Sequence, residues 1–160
     1  MQGKKISETR AVMGQVMNPE STNPAGNVHG GNIMKLIDTA GGVAATRHAR
    51  AHVVTASIDR IDFHYPVYVG DLLILKASVN FVGKTSMEVG VRVEAENPIT
   101  GQVRHTGSAY LTYVALDGNK RPINLPPLIL ETEEDRHRNE EALERRQIRL
   151  SVKKKEKENA

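Results

Sequence analysis

The stretch from residue 22 to residue 48 restricts the fold more than any other part of the chain. A polar loop, Thr22-Asn23-Pro24-Ala25-Gly26-Asn27-Val28-His29-Gly30-Gly31, runs directly into Asn32-Ile33-Met34-Lys35-Leu36-Ile37-Asp38-Thr39-Ala40-Gly41-Gly42-Val43-Ala44-Ala45-Thr46-Arg47-His48. The second part reads as a helix that is apolar over most of its circumference. Such a helix cannot lie on a surface, because too many of its faces need covering. Glycines inside a helix cost about 1 kcal/mol each relative to alanine, so Gly41-Gly42 suggests that something must come near. With Ala44-Ala45, the pair is expected to admit a second copy of the molecule.

The flanking sequence supplies strands to cover it. Residues 9 to 17 alternate loosely and stop at Asn18-Pro19; residues 53 to 65 end at Pro66; residues 71 to 82 end at Gly83. Residues 85 to 96 carry the clearest pattern, with Met87, Val89, Val91, Val93 and Ala95 on one face and Glu88, Arg92, Glu94 and Glu96 on the other. Alternation of this kind marks a half-buried antiparallel strand with one wet face. After the turn chemistry of Asn97-Pro98-Ile99-Thr100-Gly101, a fifth strand spans residues 103 to 116. The economical architecture is α+β: a curved five-stranded antiparallel sheet wrapped around one long central helix. Residues 1–130 are expected to form this single domain, and 131–160 a charged C-terminal helix and tail. Thr132 is a candidate N-cap, Glu133, Glu134 and Asp135 suit the positive end of the helix dipole, and Leu143, Ile148 and Leu150 offer either a sparse packing stripe or part of a frayed, solvated tail, which Lys153-Lys154-Lys155-Glu156-Lys157 is expected to be.

Composition removes several function classes. With no cysteine there is no disulfide, thiolate nucleophile or thiolate metal site. The net charge of +3 lies wholly in residues 1–130, since residues 131–160 hold nine acids and nine bases. So mild an excess, with only 4% aromatic residues, gives little basis for nucleic-acid binding. No long apolar run suggests membrane insertion, and Met1-Gln2-Gly3-Lys4-Lys5 offers no signal-type stretch, so a cytoplasmic protein is expected.

Among chemical motifs, Gly26 to Gly31 matches only the first half of a phosphate-binding loop, because Asn32-Ile33 stands where Lys-Ser/Thr should follow. The six histidines include no metalloprotease-type pair, so no metal site is expected. Two features remain. The Gly30 and Gly31 amides open the helix at its positive end and lack side chains that would block a substrate oxygen, which suits an oxyanion hole; a tight loop-to-helix joint explains the same glycines. Asp38 sits among Leu36, Ile37, Ala40 and Gly41, where a carboxylate is partly stripped of water and suited to general-base work. An i, i+3 ion pair with Lys35 is the plain alternative. Gly30 and Asp38 are separated by about 12 Å along a helix axis. One helix therefore cannot bring its own N-terminus and its own Asp38 to a single carbonyl, whereas two antiparallel helices across a two-fold axis can.

The loop and helix from Asn23 to Gly42, followed by Val53-Val54-Thr55-Ala56-Ser57-Ile58-Asp59 and Gly83-Lys84-Thr85-Ser86-Met87-Glu88-Val89, closely resemble the hotdog-fold acyl-CoA thioesterases, in the branch of cytosolic acyl-CoA hydrolase and its YciA-like relatives. The resemblance implies a hotdog fold and hydrolysis of acyl-CoA to a free fatty acid and CoA, with no cofactor besides the substrate. It implies Asp38 as the catalytic carboxylate and Asn23 as its helper from the opposite subunit, hence a homodimer, with trimers of dimers common in the branch. It places His29, Lys84, Thr85 and Ser86 beside the CoA groove, a plain hairpin turn being an equal reading of the last three, with Arg60, Arg92 and Arg121 as weaker candidates for the nucleotide phosphates. Asp38 is expected to act either on a water or directly as a nucleophile. Where related enzymes often carry a hydroxyl one turn after the carboxylate, this chain has Gly42. A non-catalytic acyl-CoA binding module on the same scaffold, and more weakly a hydratase, are the competing functions.

Overall fold

The computed structural model describes the whole chain, Met1–Ala160. Its elements are β1 (Lys4–Lys5), α1 (Ile6–Thr9), β2 (Ala11–Val16), a 3-10 turn (Pro19–Ser21), α2 (Gly30–Ala49), β3 (His52–Ile58), β4 (Asp62–Phe63), β5 (Leu72–Val82), β6 (Ser86–Glu96), β7 (Val103–Leu116), β8 (Leu128–Ile129) and α3 (Glu133–Glu158). The main sheet runs β2-β5-β6-β7-β3, antiparallel throughout, and the short β4 also pairs with β7. This is the expected five-stranded sheet, with one added short strand. A parallel ribbon of β1 and β8 ties the two ends of the sheet domain together.

The sheet curls because its inner residues pack on one helix. Leu73, Leu75, Val79, Val89, Val91 and Leu111 are buried on the concave face, against Ile33, Ile37, Ala40 and Ala44 of α2. Turn chemistry sets the strand order: Gly83 N–H donates to Ser86 O at 2.7 Å to close the β5–β6 hairpin, and Asn97 Oδ1 accepts from the Ile99 and Thr100 amides to start the β6–β7 turn. α2 ends where Arg50 takes a left-handed conformation, φ 52°, and sends its N–H to Thr46 O. Lys4 Nζ then donates to the terminal carbonyls of Arg47 and His48, placing a cation at the negative end of the dipole.

Four expectations change. The strand predicted over residues 53 to 65 divides into β3 and β4, with a bulge between Thr55 and Ser57. Ala44 and Ala45, offered to a second copy, are fully buried against the chain's own sheet. Glu88, assigned to the wet face of β6, is 1% exposed, because α3 covers that part of the convex face. Finally, α3 stays helical through Lys157, and its apolar stripe does not pack: Leu143, Ile148 and Leu150 are exposed. The helix docks through polar groups instead. Arg145 makes two bonds to Glu88, at 2.8 and 2.9 Å, Arg149 reaches Asp59 at 2.8 Å, and Asn139 Nδ2 donates to Asn80 O at 2.9 Å.

Candidate active site

The loop before α2 is held by short-range bonds. Asn23 Oδ1 accepts from the Ala25 and Asn27 amides at 3.0 and 3.2 Å, the side-chain-to-backbone pattern that asparagine favours in turns. Gly26, at φ 87°, supplies the left-handed residue that the turn needs. Val28 N–H bonds Val67 O and His29 N–H bonds Ser21 O, which fixes the direction in which α2 starts. Asn23 therefore spends its oxygen on the loop and keeps its Nδ2 group, which takes no partner within the chain, as a donor.

At the helix start, the two amides expected to be free narrow to one. His29 is the N-cap, and its Nδ1 accepts from Gly31 N–H at 3.1 Å. Gly30 N–H has no acceptor in the chain, and the nearest atom to where a Gly30 side chain would stand is a Phe63 ring carbon at 3.7 Å. The positive end of the dipole thus presents one unengaged N–H beside an exposed aromatic ring.

Asp38 lies further along α2, half-buried, and forms no ion pair with Lys35. Its Oδ1 instead accepts two hydroxyl bonds from the sheet. Thr55 Oγ1 on β3 donates at 2.7 Å, and Tyr113 OH on β7 lies 3.0 Å from Oδ1 and 3.0 Å from the Asp38 backbone oxygen. Thr55 and Tyr113 are register partners on neighbouring strands, so the sheet delivers both hydroxyls to one point. Oδ2 takes no hydrogen bond. Burial, with the Asp38 carboxylate beside it, pushes the Tyr113 phenol pKa well up, so it remains a protonated donor.

These two hydroxyls escaped the sequence reading. Thr55 lies within the stretch Val53-Val54-Thr55-Ala56-Ser57-Ile58-Asp59, but nothing in its spacing ties it to Asp38. Tyr113 left a single trace, the Gly41-Gly42 pair. A side chain at Gly41 would put its Cβ 2.6 Å from the Tyr113 hydroxyl, so the partner that the glycine admits is this ring.

The remaining predicted residues are spread around this centre. Lys84, Thr85 and Ser86 form the β5–β6 turn, and Ser86 pairs with Val114 beside Tyr113 in the register. That turn is anchored by Leu125 N–H on Lys84 O and Ala115 N–H on Thr85 O, leaving the Lys84 side chain exposed. Arg60 is exposed and pairs with Asp62, next to Phe63 and hence on the helix-start side. Arg92 stands on the convex face, away from Asp38, and Arg121 is exposed in the turn after β7. A groove of about 520 Å³ also lies on that convex face, between the sheet and α3; it is lined by Arg10, Lys76, Arg92 and Arg138 and does not include Asp38. No cluster of three His, Asp or Glu side chains is close enough to hold a metal ion.

Known proteins share this fold. Residues 25–102 match the model of the thioesterase superfamily. The uncharacterized acyl-CoA thioester hydrolase YkhA of Bacillus subtilis is 38% identical over 80% of this chain and 74% of its own. The cytosolic acyl coenzyme A thioester hydrolase of Rattus norvegicus is 35% identical over 85% of this chain and 36% of its own, longer length. Among solved structures, an apo-hexameric acyl-CoA thioesterase superposes with a TM-score of 0.91 at 36% identity, covering 95% of this chain and 97% of that one. An acyl-CoA hydrolase from Staphylococcus aureus, solved with butyryl coenzyme A and coenzyme A, superposes with a TM-score of 0.90 at 31% identity, covering 98% and 95%. With its helix wrapped by the sheet and its helical aspartate held by two sheet hydroxyls, the chain belongs to the hotdog acyl-CoA thioesterases of the thioesterase superfamily.

Proposed function

We propose that this protein hydrolyses acyl-CoA to a free fatty acid and CoA at a site shared by two copies of the chain, with Asp38 as the general base. The observation that carries this reading is the carboxylate itself: Oδ1 is held by Thr55 and Tyr113, which leaves Oδ2 free and aimed by its neighbour. The Staphylococcus aureus hydrolase has also been solved with an asparagine, an aspartate or a threonine replaced by alanine, and those three positions have the same spacings along that chain as Asn23, Asp38 and Thr55 have here.

In the reaction, Asp38 Oδ2 takes a proton from water as the water oxygen bonds to the thioester carbon. The oxyanion that forms is met by Gly30 N–H, and Asn23 Nδ2 orients the water. Collapse of the tetrahedral intermediate breaks the C–S bond, and the departing CoA sulfur takes the proton back from Asp38. These groups come from two chains, because about 12 Å of helix separates them in one. β3 is an unpaired sheet edge, and Met34 and Val43 on α2, with Val54, Ile58 and Phe63 beside them, leave an apolar surface exposed for a second copy. The proposal extends to further assembly into a trimer of dimers, a reading supported by a relative that is hexameric. Lys84, with Thr85 and Ser86, and Arg60 are assigned to the CoA phosphates, and His29 to the rim of the oxyanion hole. No helix is long and apolar enough to cross a membrane, and a cytoplasmic location follows the cytosolic relative.

The test is Asp38→Ala: the variant keeps its fold by circular dichroism and releases no CoA from acyl-CoA substrates. Full activity would remove Asp38 from the mechanism. Tight acyl-CoA binding by the unaltered protein without turnover would instead make it a binding module.

A further inference from the structure

We propose that Tyr113 is the positioning residue that locks the Asp38 carboxylate with Oδ2 outward, and that Gly41 is glycine in order to admit it. The inference rests on the general-base reading above. Tyr113 is 2% exposed, and its hydroxyl is 3.0 Å from both Asp38 Oδ1 and the Asp38 carbonyl oxygen. A phenol has one proton to donate, and an ionised carboxylate oxygen can accept more than one donor. Thr55 Oγ1 approaches the same oxygen at 2.7 Å from another strand. Two donors on one oxygen fix the carboxylate plane, so its reactive oxygen cannot rotate between positions.

Gly41 stands one turn after Asp38 on the same helix. A Cβ there would lie 2.6 Å from the Tyr113 hydroxyl and 3.3 Å from two ring carbons, so any side chain displaces the ring. A buried mid-helix glycine is otherwise unfavourable. The glycine and the tyrosine are therefore one device built from residues far apart in sequence. The groups facing the carboxylate are Thr55 from β3 and Tyr113 from β7, and no charged side chain pairs with it. Because the phenol stays protonated, it acts only as a donor.

Three variants, Tyr113→Phe, Gly41→Ala and the double, test the device by kcat, KM and pH profile on an acyl-CoA substrate. Losing one hydrogen bond to a charged group is expected to lower kcat of Tyr113→Phe by about 10- to 100-fold. KM stays within about twofold, and the acid limb of the profile moves to higher pH because the carboxylate has lost a stabilising donor. Gly41→Ala shows a similar loss. In the double variant the losses do not multiply, because both changes remove the same contact. A 13C titration of the Asp38 carboxyl group reads the same upward shift without turnover, so it applies even if the protein proves not to be a hydrolase; if Gly41→Ala does not fold, Tyr113→Phe alone decides. Wild-type kcat with an unmoved acid limb in Tyr113→Phe, losses that multiply in the double variant, or an unchanged carboxyl titration would overturn the assignment. Absence of CoA release by the unaltered protein would count against the hydrolase reading instead.

Discussion

Replacing Arg145 by methionine tests how the C-terminal helix is attached. The Glu88 carboxylate is 0% exposed and takes two bonds from Arg145, whose guanidinium also lies over the Tyr110 ring, 3.6 Å from its centroid. Methionine fills similar space but leaves Glu88 with Asn80 Nδ2 at 3.2 Å and Arg149 at 3.7 Å. Breaking a buried ion pair from one side costs about 3–5 kcal/mol. The two remaining partners place this case at the lower end, about 3 kcal/mol, which for a chain of this size is a fall in Tm of about 6–12 °C. Because self-association raises apparent stability, the scans must be run at one protein concentration. The double variant Glu88→Leu/Arg145→Met removes both charges and should recover most of the loss, since a buried pair is often no more stable than an apolar replacement. A Tm within about 2 °C of the unaltered protein for Arg145→Met would mean that α3 is not held on the sheet through Glu88.

The other predictions concern pH and chemistry. His48 is fully buried, and burial holds its pKa below the ordinary 6.5, so the folded protein keeps it neutral while the unfolded chain protonates. Its contribution is therefore present above about pH 6.5 and lost as pH falls below that value; denaturant midpoints at pH 7.5 and 5.5 should differ more for the unaltered protein than for His48→Gln. Thr55→Val keeps the shape but removes the 2.7 Å bond to Asp38, and kcat should fall by about 10-fold or more with little change in KM. Single-turnover hydrolysis in 18O-water should put the label in the fatty acid if Asp38 is a base, whereas label in the Asp38 carboxyl group would show it to be a nucleophile.

The parts of this molecule that were legible in sequence are those governed by local pattern. The alternation of Met87, Val89, Val91, Val93 and Ala95 gave β6 and its inner face, because a strand on a helix must alternate. Thr132, a residue type suited to an N-cap, marked the start of α3, and its side-chain oxygen does accept from Asp135 N–H at 3.0 Å. Asp38 stood out because few polar residues share its helix.

What escaped depends on contacts made by folding. Tyr113 reaches Asp38 only because β7 lies beneath α2, and Thr55 only because β3 pairs with β7 opposite Tyr113. Glu88 looked solvated because the helix that covers it docks through Arg145 and Arg149, side chains that no hydropathy pattern marks as contacts. Gly41 carried a real signal of close approach, but a glycine does not say whether its neighbour is in the same chain or another; Tyr113 occupies that space.

The shared site is tested most directly by mixing two inactive variants, Asp38→Ala and Asn23→Ala. The chain has no cysteine, so a thiol reagent reports only released CoA. If one chain supplies the carboxylate and the other the asparagine, subunit exchange makes half the dimers mixed, each with one intact site of two. Activity should then return to about a quarter of the unaltered protein's. A mixture that has demonstrably exchanged subunits and still releases no more CoA than its components would contradict a site built from two chains.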